Sequence, residues 1–313
     1  MRLLRRLAAI VVVGVLCATH VERTAAGWPA ADLPSRLTDQ EFWRLTEELS
    51  EASGFFQSDN LLSNEPWFSR ILPPLVARTK PGGVYLGVGP EQNFTYIAAI
   101  RPRIAIITDI RRGNLHLQLM YKALFELSAD RAEFVARLFT KQRPASLTAQ
   151  STVTELMNTY WDLFTLDEAA YAANLRAIHD HLTVTHALPL PQADLDGIAR
   201  VYRAFYWYGP SITYAASTTL RMPIAVRVIA PGGSATFGGL TYWDLMTQSD
   251  ANGQGLTYLG SEEKFAFVKD LQRRNLVVPV VGDFAGPKAL RGVGKFLKAH
   301  DAAVSAFYVS NVE

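Results

Sequence analysis

Residues 82–109 read GGVYLGVGPEQNFTYIAAIRPRIAIITD, and the fold turns on this stretch. Val84, Tyr85 and Leu86 form a short β-prone run that stops at Gly87-Val88-Gly89-Pro90, where two glycines permit a sharp turn and the close approach of another group. A helix is expected from about Glu91 to Ala99. Arg101-Pro102 ends it, because the residue before a proline is pushed out of the α region. Ile104, Ala105, Ile106 and Ile107 then make an unbroken apolar run, as in a parallel strand covered on both faces, and Asp109 closes it. Asp109 follows Gly87 by 22 residues, close to the roughly 20 that separate the glycine turn from the ribose-binding acid of a nucleotide-binding βαβ unit.

This stretch resembles the first motif of the class I S-adenosylmethionine-dependent methyltransferase superfamily, an acid followed by glycine-x-glycine-x-glycine, with a second acid ending the next strand. Gly87 and Gly89 fall on the first two glycines and Asp109 on the second acid. Tyr85 stands where the first acid is usual, and Glu91 stands at the third glycine. The segments SDNLLSNE (58–65), YLGVGPEQNFTYIAAIRPRIAIITDIRR (85–112) and VVGDFAGPKALR (280–291) are also similar to an uncharacterised bacterial family with a methyltransferase-like domain, over most of the chain after residue 38. The resemblance implies an α/β fold with a doubly wound, Rossmann-like, mostly parallel sheet. It implies S-adenosylmethionine as the ligand, with Gly87 and Gly89 under its methionine and sugar portions and Asp109 accepting from the ribose hydroxyls. A nicotinamide dinucleotide fits less well, since the third glycine of that fingerprint falls on Gln92.

The 313 residues are 49% hydrophobic and 19% charged, which is ordinary for a globular protein and enough for a large core. Residues 1–26 combine three early arginines, an apolar run over 7–17 and the small residues Thr24-Ala25-Ala26, and read as an export signal. The apolar run falls short of the ~20 residues that span a bilayer, so no stable membrane span is expected after cleavage. Removing residues 1–26 leaves 27 basic and 28 acidic residues, too balanced for the basic stripe that nucleic-acid binding requires. The single cysteine, Cys17, lies in that leader, so the mature chain has neither disulfides nor thiolate chemistry.

Beyond the leader, residues 27–80 read as a helical segment, 81–128 as the first half of the sheet domain, 129–210 as a large helical insertion, and 211–313 as the second half, expected to be C-terminally truncated. Thr38 and Glu41 make a capping box. Residues 54–65, polar with interleaved aromatics, read either as a capped turn or as a cover over a nucleotide pocket; Asn64 and Glu65 are the residues to test there. Residues 115–127 form an amphipathic helix, with Asn114 as a candidate cap. His179, His181 and His186 read as solvated histidines rather than metal ligands, since residues two apart on a helix do not share a face. Tyr202, Phe205, Tyr206, Trp207 and Tyr208 form either a core face or a stacking surface for a purine. Ile212 to Tyr214 and 224–229 are β-prone, and the glycine loop at 231–234 lacks the ending of a phosphate loop.

In a doubly wound sheet the ligand lies outside the carboxyl ends of the strands. The candidate cofactor-binding residues are therefore Gly87, Gly89, Glu91, Asp109 and Arg111, with Asn64 and Glu65 above them. Asp283 is the catalytic candidate, as a general base if the 276–281 strand lies beside the first strand; the other reading is a carboxylate serving its own turn before Pro287. No metal is expected. Two functions stand open: a methyltransferase-like protein binding an adenosyl cofactor, or an exported binding or scaffolding module that keeps the fold without the chemistry.

Overall fold

The computed structural model describes residues 32–161, 165–214 and 240–310. The leader, the 224–229 run, the 231–234 loop and the last three residues lie outside the described residues.

In chain order the elements are α1 (Asp39–Leu49), α2 (Leu72–Arg78), β1 (Val84–Val88), α3 (Gln92–Ile100), β2 (Ile104–Asp109), α4 (Arg112–Leu127), α5 (Arg131–Leu138), α6 (Val153–Thr159), α7 (Glu168–Asp180), α8 (Gln192–Tyr208), α9 (Tyr242–Met246), α10 (Glu262–Arg273), β3 (Val277–Val281), α11 (Ala289–Ala299) and β4 (Val304–Phe307). The fold is α/β, around a four-stranded, all-parallel sheet in the order β3-β2-β1-β4. Residues of β1, β2 and β3 are buried throughout, as apolar strands covered on both faces must be, whereas β4 is a partly exposed edge. The chain steps outward from β1 to β2 to β3, then returns to the far side of β1 as β4. Right-handed crossovers put α3, α4 and α10 over one face and α11 over the other. In agreement, α10 packs on α3 and α4, while α11 packs on α1.

The expected boundaries hold to a residue or two in the stretch that opened the reading. Arg101 stops α3 in a left-handed conformation, with φ at 52°. Thr38 accepts from the Glu41 amide while the Glu41 carboxylate accepts from the Thr38 amide, so the capping box forms as read. Pro287 does not open α11; the helix begins at Ala289, after two backbone amides have been tied to the Glu51 carboxylate. Thr213 makes one isolated bridge to Thr241 rather than a strand.

The largest departure concerns α4. It is buried on nearly every side, with Asn114, His116, Gln118 and Lys122 as inaccessible as its leucines. A helix buried all round is a central element and not a cover. On one side it meets the sheet and α10, on the other α8 and α7. Phe94, Tyr121, Phe125, Phe134, Tyr258 and Phe265 interlock around it with ring centroids 4.7–6.2 Å apart. The aromatic group of α8 belongs to this core: Tyr202 and Phe205 are fully buried, and Tyr171 stacks on Tyr202. Near the start of α4, Arg112 donates twice to Asp194 of α8 at 2.6 Å, and His116 lies 2.9 Å from the same carboxylate.

Candidate functional site

The turn after β1 is braced from below. The Tyr85 hydroxyl donates to Asn93 Oδ1 at 2.7 Å, and Asn93 Nδ2 donates to the carbonyls of Val88, Gly89 and Pro90. Tyr85 thus orients the asparagine that holds the turn. The two glycines serve different ends. A Cβ on Gly87 would lie 2.0 Å from Asn93 Oδ1, so this glycine makes room for the brace. Gly89 has a φ of +80° and no atom within 4 Å of a would-be Cβ, so its outer side is open to another molecule.

Residues 50–65 cross the carboxyl edge of the sheet strand by strand. Ser50 and Glu51 bond the end of β3, Gly54 donates to Ile110 after β2, the Asp59 carbonyl accepts from Arg111, and Ser63 donates to Glu91 after β1. Glu65 then accepts from Tyr308 and Ser310 at the end of β4. Within this strap Leu61, Leu62 and Ser63 are buried, while Phe55 stands 86% exposed. The polar stretch is therefore a cover over the carboxyl pole. Glu65 is part of its anchorage, whereas Asn64 is exposed.

Under the strap lie Glu91, Asp109 and Arg111. Glu91 sits at the start of α3 with no exposed surface, and burial pushes its carboxyl up to about 8, so at neutral pH it is largely protonated and able to donate. Burial also raises Asp109, against the opposing pull of Arg111, whose amide and guanidinium both face Asp109 Oδ1. Arg111, Asn114 and Gln118 follow at positions i, i+3 and i+7 along the start of α4, which aligns them on one side of the helix. Gln118 Nε2 reaches the Gly89 carbonyl at 3.1 Å. Five buried atoms in this row and its neighbour have no hydrogen-bond partner: Arg111 Nε and Nη2, Asn114 Oδ1, Gln118 Oε1 and Glu91 Oε2. Buried polar groups are nearly always paired, so a guanidinium, two amide oxygens and a protonated carboxyl left unpaired here describe a surface made for a polar molecule. The sequence reading passed over Asn114 as a cap and missed Gln118. The structure makes Arg111 the cap residue, and polar residues spaced three and four apart in an apolar helix were the available signal.

Asp283 stands elsewhere. β3 pairs with β2 and not with β1, so β2 intervenes, and the lateral offset of two strand spacings is about 10 Å. The side chain is exposed, and its Oδ1 accepts from the Ala285 amide at 2.9 Å. The condition that would have carried a base role is not met, and the carboxylate serves its own turn.

The histidines are not on a solvated face. His181 opens a π-helical turn, His181–Thr185, whose closing bond from the His186 amide to the His181 carbonyl sets residues five apart above one another. His181 Nε2 and His186 Nε2 lie 3.1 and 2.8 Å from the same oxygen, Glu126 Oε2. His179 stays apart from this group. The α-helical spacing assumed from sequence hid the pairing, and the carboxylate comes from another helix.

These features define an α/β protein with a group of buried, unpaired polar side chains under a strap at the carboxyl pole of a parallel sheet. The chain belongs to a family described only as a domain of unknown function, DUF7790, whose model matches residues 61–186 and 240–313. The matched residues include β1 to α4 and the Glu126, His181 and His186 group, and leave out α8. No curated protein matches the chain. Among the described residues, no helix is long and apolar enough to cross a membrane.

Proposed function

We propose that a crevice under the strap, on the open side of Gly89, binds a small adenosyl ligand, with S-adenosylmethionine as the expected one, in a Rossmann-like sheet of methyltransferase type. The observation that carries this reading is the set of unpaired buried atoms at Arg111, Asn114, Gln118 and Glu91 beside the open side of Gly89. A ligand bearing an ammonium, hydroxyls and a carboxylate matches two amide acceptors, a protonated carboxyl and a cationic donor. Arg111 Nη2 holds the carboxylate, Asn114 and Gln118 accept from amine or hydroxyl groups, and Asp109, at the end of β2, accepts from the ribose. S-adenosylmethionine would supply an electrophilic methyl group. Calorimetry on the full chain with S-adenosylmethionine and its demethylated product tests the reading; binding that is absent, or unchanged in Asp109→Ala, overturns it.

A second reading is a binding module that keeps the fold without methyl transfer. It is favoured by the buried Glu91 at the third-glycine position and by Asp283, whose carboxylate is spent on its own turn. Equal affinity for the methyl donor and its demethylated product, with no turnover on any acceptor supplied, is the outcome it expects.

A further inference from the structure

We propose that Glu126 Oε2, His181 Nε2 and His186 Nε2 form a zinc(II) site at the amino pole of the sheet, on the far side from the crevice. Among the described residues, these three side chains bring their ligand atoms within 4.8 Å of one another. Two imidazole nitrogens and one carboxylate oxygen are ligands of a kind zinc takes, with a fourth position left for water. Zinc bonds of about 2.0–2.1 Å at tetrahedral angles put ligand atoms roughly 3.3 Å apart. The carboxylate oxygen lies 3.1 and 2.8 Å from the two nitrogens, so these atoms need only spread by about 0.2–0.5 Å to take an ion between them.

The surrounding groups orient the ligands as supports of a metal site do. Asp39 Oδ1 lies 2.6 Å from His186 Nδ1, and Asn275 Nδ2 donates to that same oxygen at 2.8 Å. Lys122 Nζ donates to Glu126 Oε1 at 2.6 Å, to the Gln272 carbonyl and to Asn275 Oδ1, and so leaves Oε2 free for an ion. With its Nδ1 proton given to Asp39, a neutral His186 turns the lone pair of Nε2 toward the Glu126 oxygen. Two acceptors then face each other at 2.8 Å, and either a proton on Nε2 or a metal ion lies between them. Two carboxylates, one ammonium and two neutral imidazoles also sum to a net charge of −1, which a divalent ion reverses. The competing occupant is a proton on each imidazole.

The position indicates a clamp. α4 begins at Arg112, next to Arg111 of the crevice, and carries Glu126 fourteen residues on, about 20 Å away along the helix. The ion would join the start of α1 through Asp39, the end of α4 and the π turn after α7.

The test uses the full chain without a histidine tag. After growth with zinc, elemental analysis should find about one zinc per chain, and removal by a chelator should lower the melting temperature by several degrees, restored on adding zinc. Cobalt(II) added to the stripped protein should give the visible absorption of a tetrahedral site. His181→Ala should abolish retention with folding intact by circular dichroism, and His179→Ala should keep it. Should Glu126→Gln fail to fold, His181→Ala alone decides. A chain that retains no zinc, shows no thermal response to excess zinc or cobalt, or keeps its metal in His181→Ala overturns the proposal and leaves a network held by protons. Loss of the zinc site has no bearing on ligand binding in the crevice, so the two readings fail separately.

Discussion

The two ends of α4 bury polar side chains in opposite ways. At the carboxyl pole, Arg111, Asn114 and Gln118 each keep a buried atom without a partner. At the amino pole, Lys122 spends its three protons on three acceptors and Glu126 faces a lysine and two histidines. One helix in one core thus carries a saturated network and an unsaturated one. Since an unpaired buried group costs about 1–3 kcal/mol, the unsaturated end is held at the expense of stability, the usual mark of a surface kept for something else. The saturated end is where the chain secures itself.

If that division is right, damage to the amino pole should hurt most. Lys122→Met removes the cation from a buried carboxylate and from Asn275, and should lower stability by about 3–5 kcal/mol in urea titrations, with the midpoint falling and the slope unchanged. A loss under 1 kcal/mol would mean that the network is dispensable.

The next effect concerns Glu91. Its carboxyl is raised from 4.5 to about 8 by burial, so the folded state holds a proton that the unfolded chain releases above pH 4.5. Stability from this group is complete below 4.5, declines by about 1.4 kcal/mol per pH unit as pH rises, and is lost above 8. The raised Asp109 acts in the same direction. Glu91→Gln should flatten much of the slope between pH 5 and 8 and be the more stable protein at pH 8 by on the order of a few kcal/mol. Melting curves across that range check it, and parallel wild-type and variant profiles would contradict it.

Smaller still is Asn114→Leu. Exchanging an unpaired buried acceptor for an apolar group of similar volume should change stability by less than about 1 kcal/mol, in either direction, while weakening ligand binding several-fold. A large destabilisation would show that Asn114 is as structural as Lys122. The least effect is expected from Asp283→Asn, which keeps the bond to the Ala285 amide: within about 0.5 kcal/mol in stability, with ligand affinity unchanged.

The β1-turn-α3-β2 unit was legible because its signals are local: glycines at a turn, a proline after a helix, an apolar run closed by an acid. The same holds for the capping box at Thr38. The strap was half legible, as a polar stretch that could cover a pocket, but its course over four strand ends is set by partners far along the chain. The interior of α4 was not legible. Its histidine, lysine and amides read as a solvent face because what buries them, such as Asp194 for His116 and Asn275 for Lys122, lies 78 and 153 residues away. The His181 and His186 pair was hidden by one extra residue per turn, which no α-helical count anticipates.

The strap makes the crevice a matter of rates as much as of affinity. Residues 54–65 are fastened at Ile110, Arg111, Glu91 and the end of β4, so a ligand entering or leaving must first undo bonds at several of these points. Exchange would then proceed no faster than the strap lifts, and association would lose its linear dependence on ligand concentration at high concentration. Phe55 stands clear of the surface on this same segment and offers chymotrypsin a cleavage point. The rate of cutting there, with and without ligand, reads the opening directly.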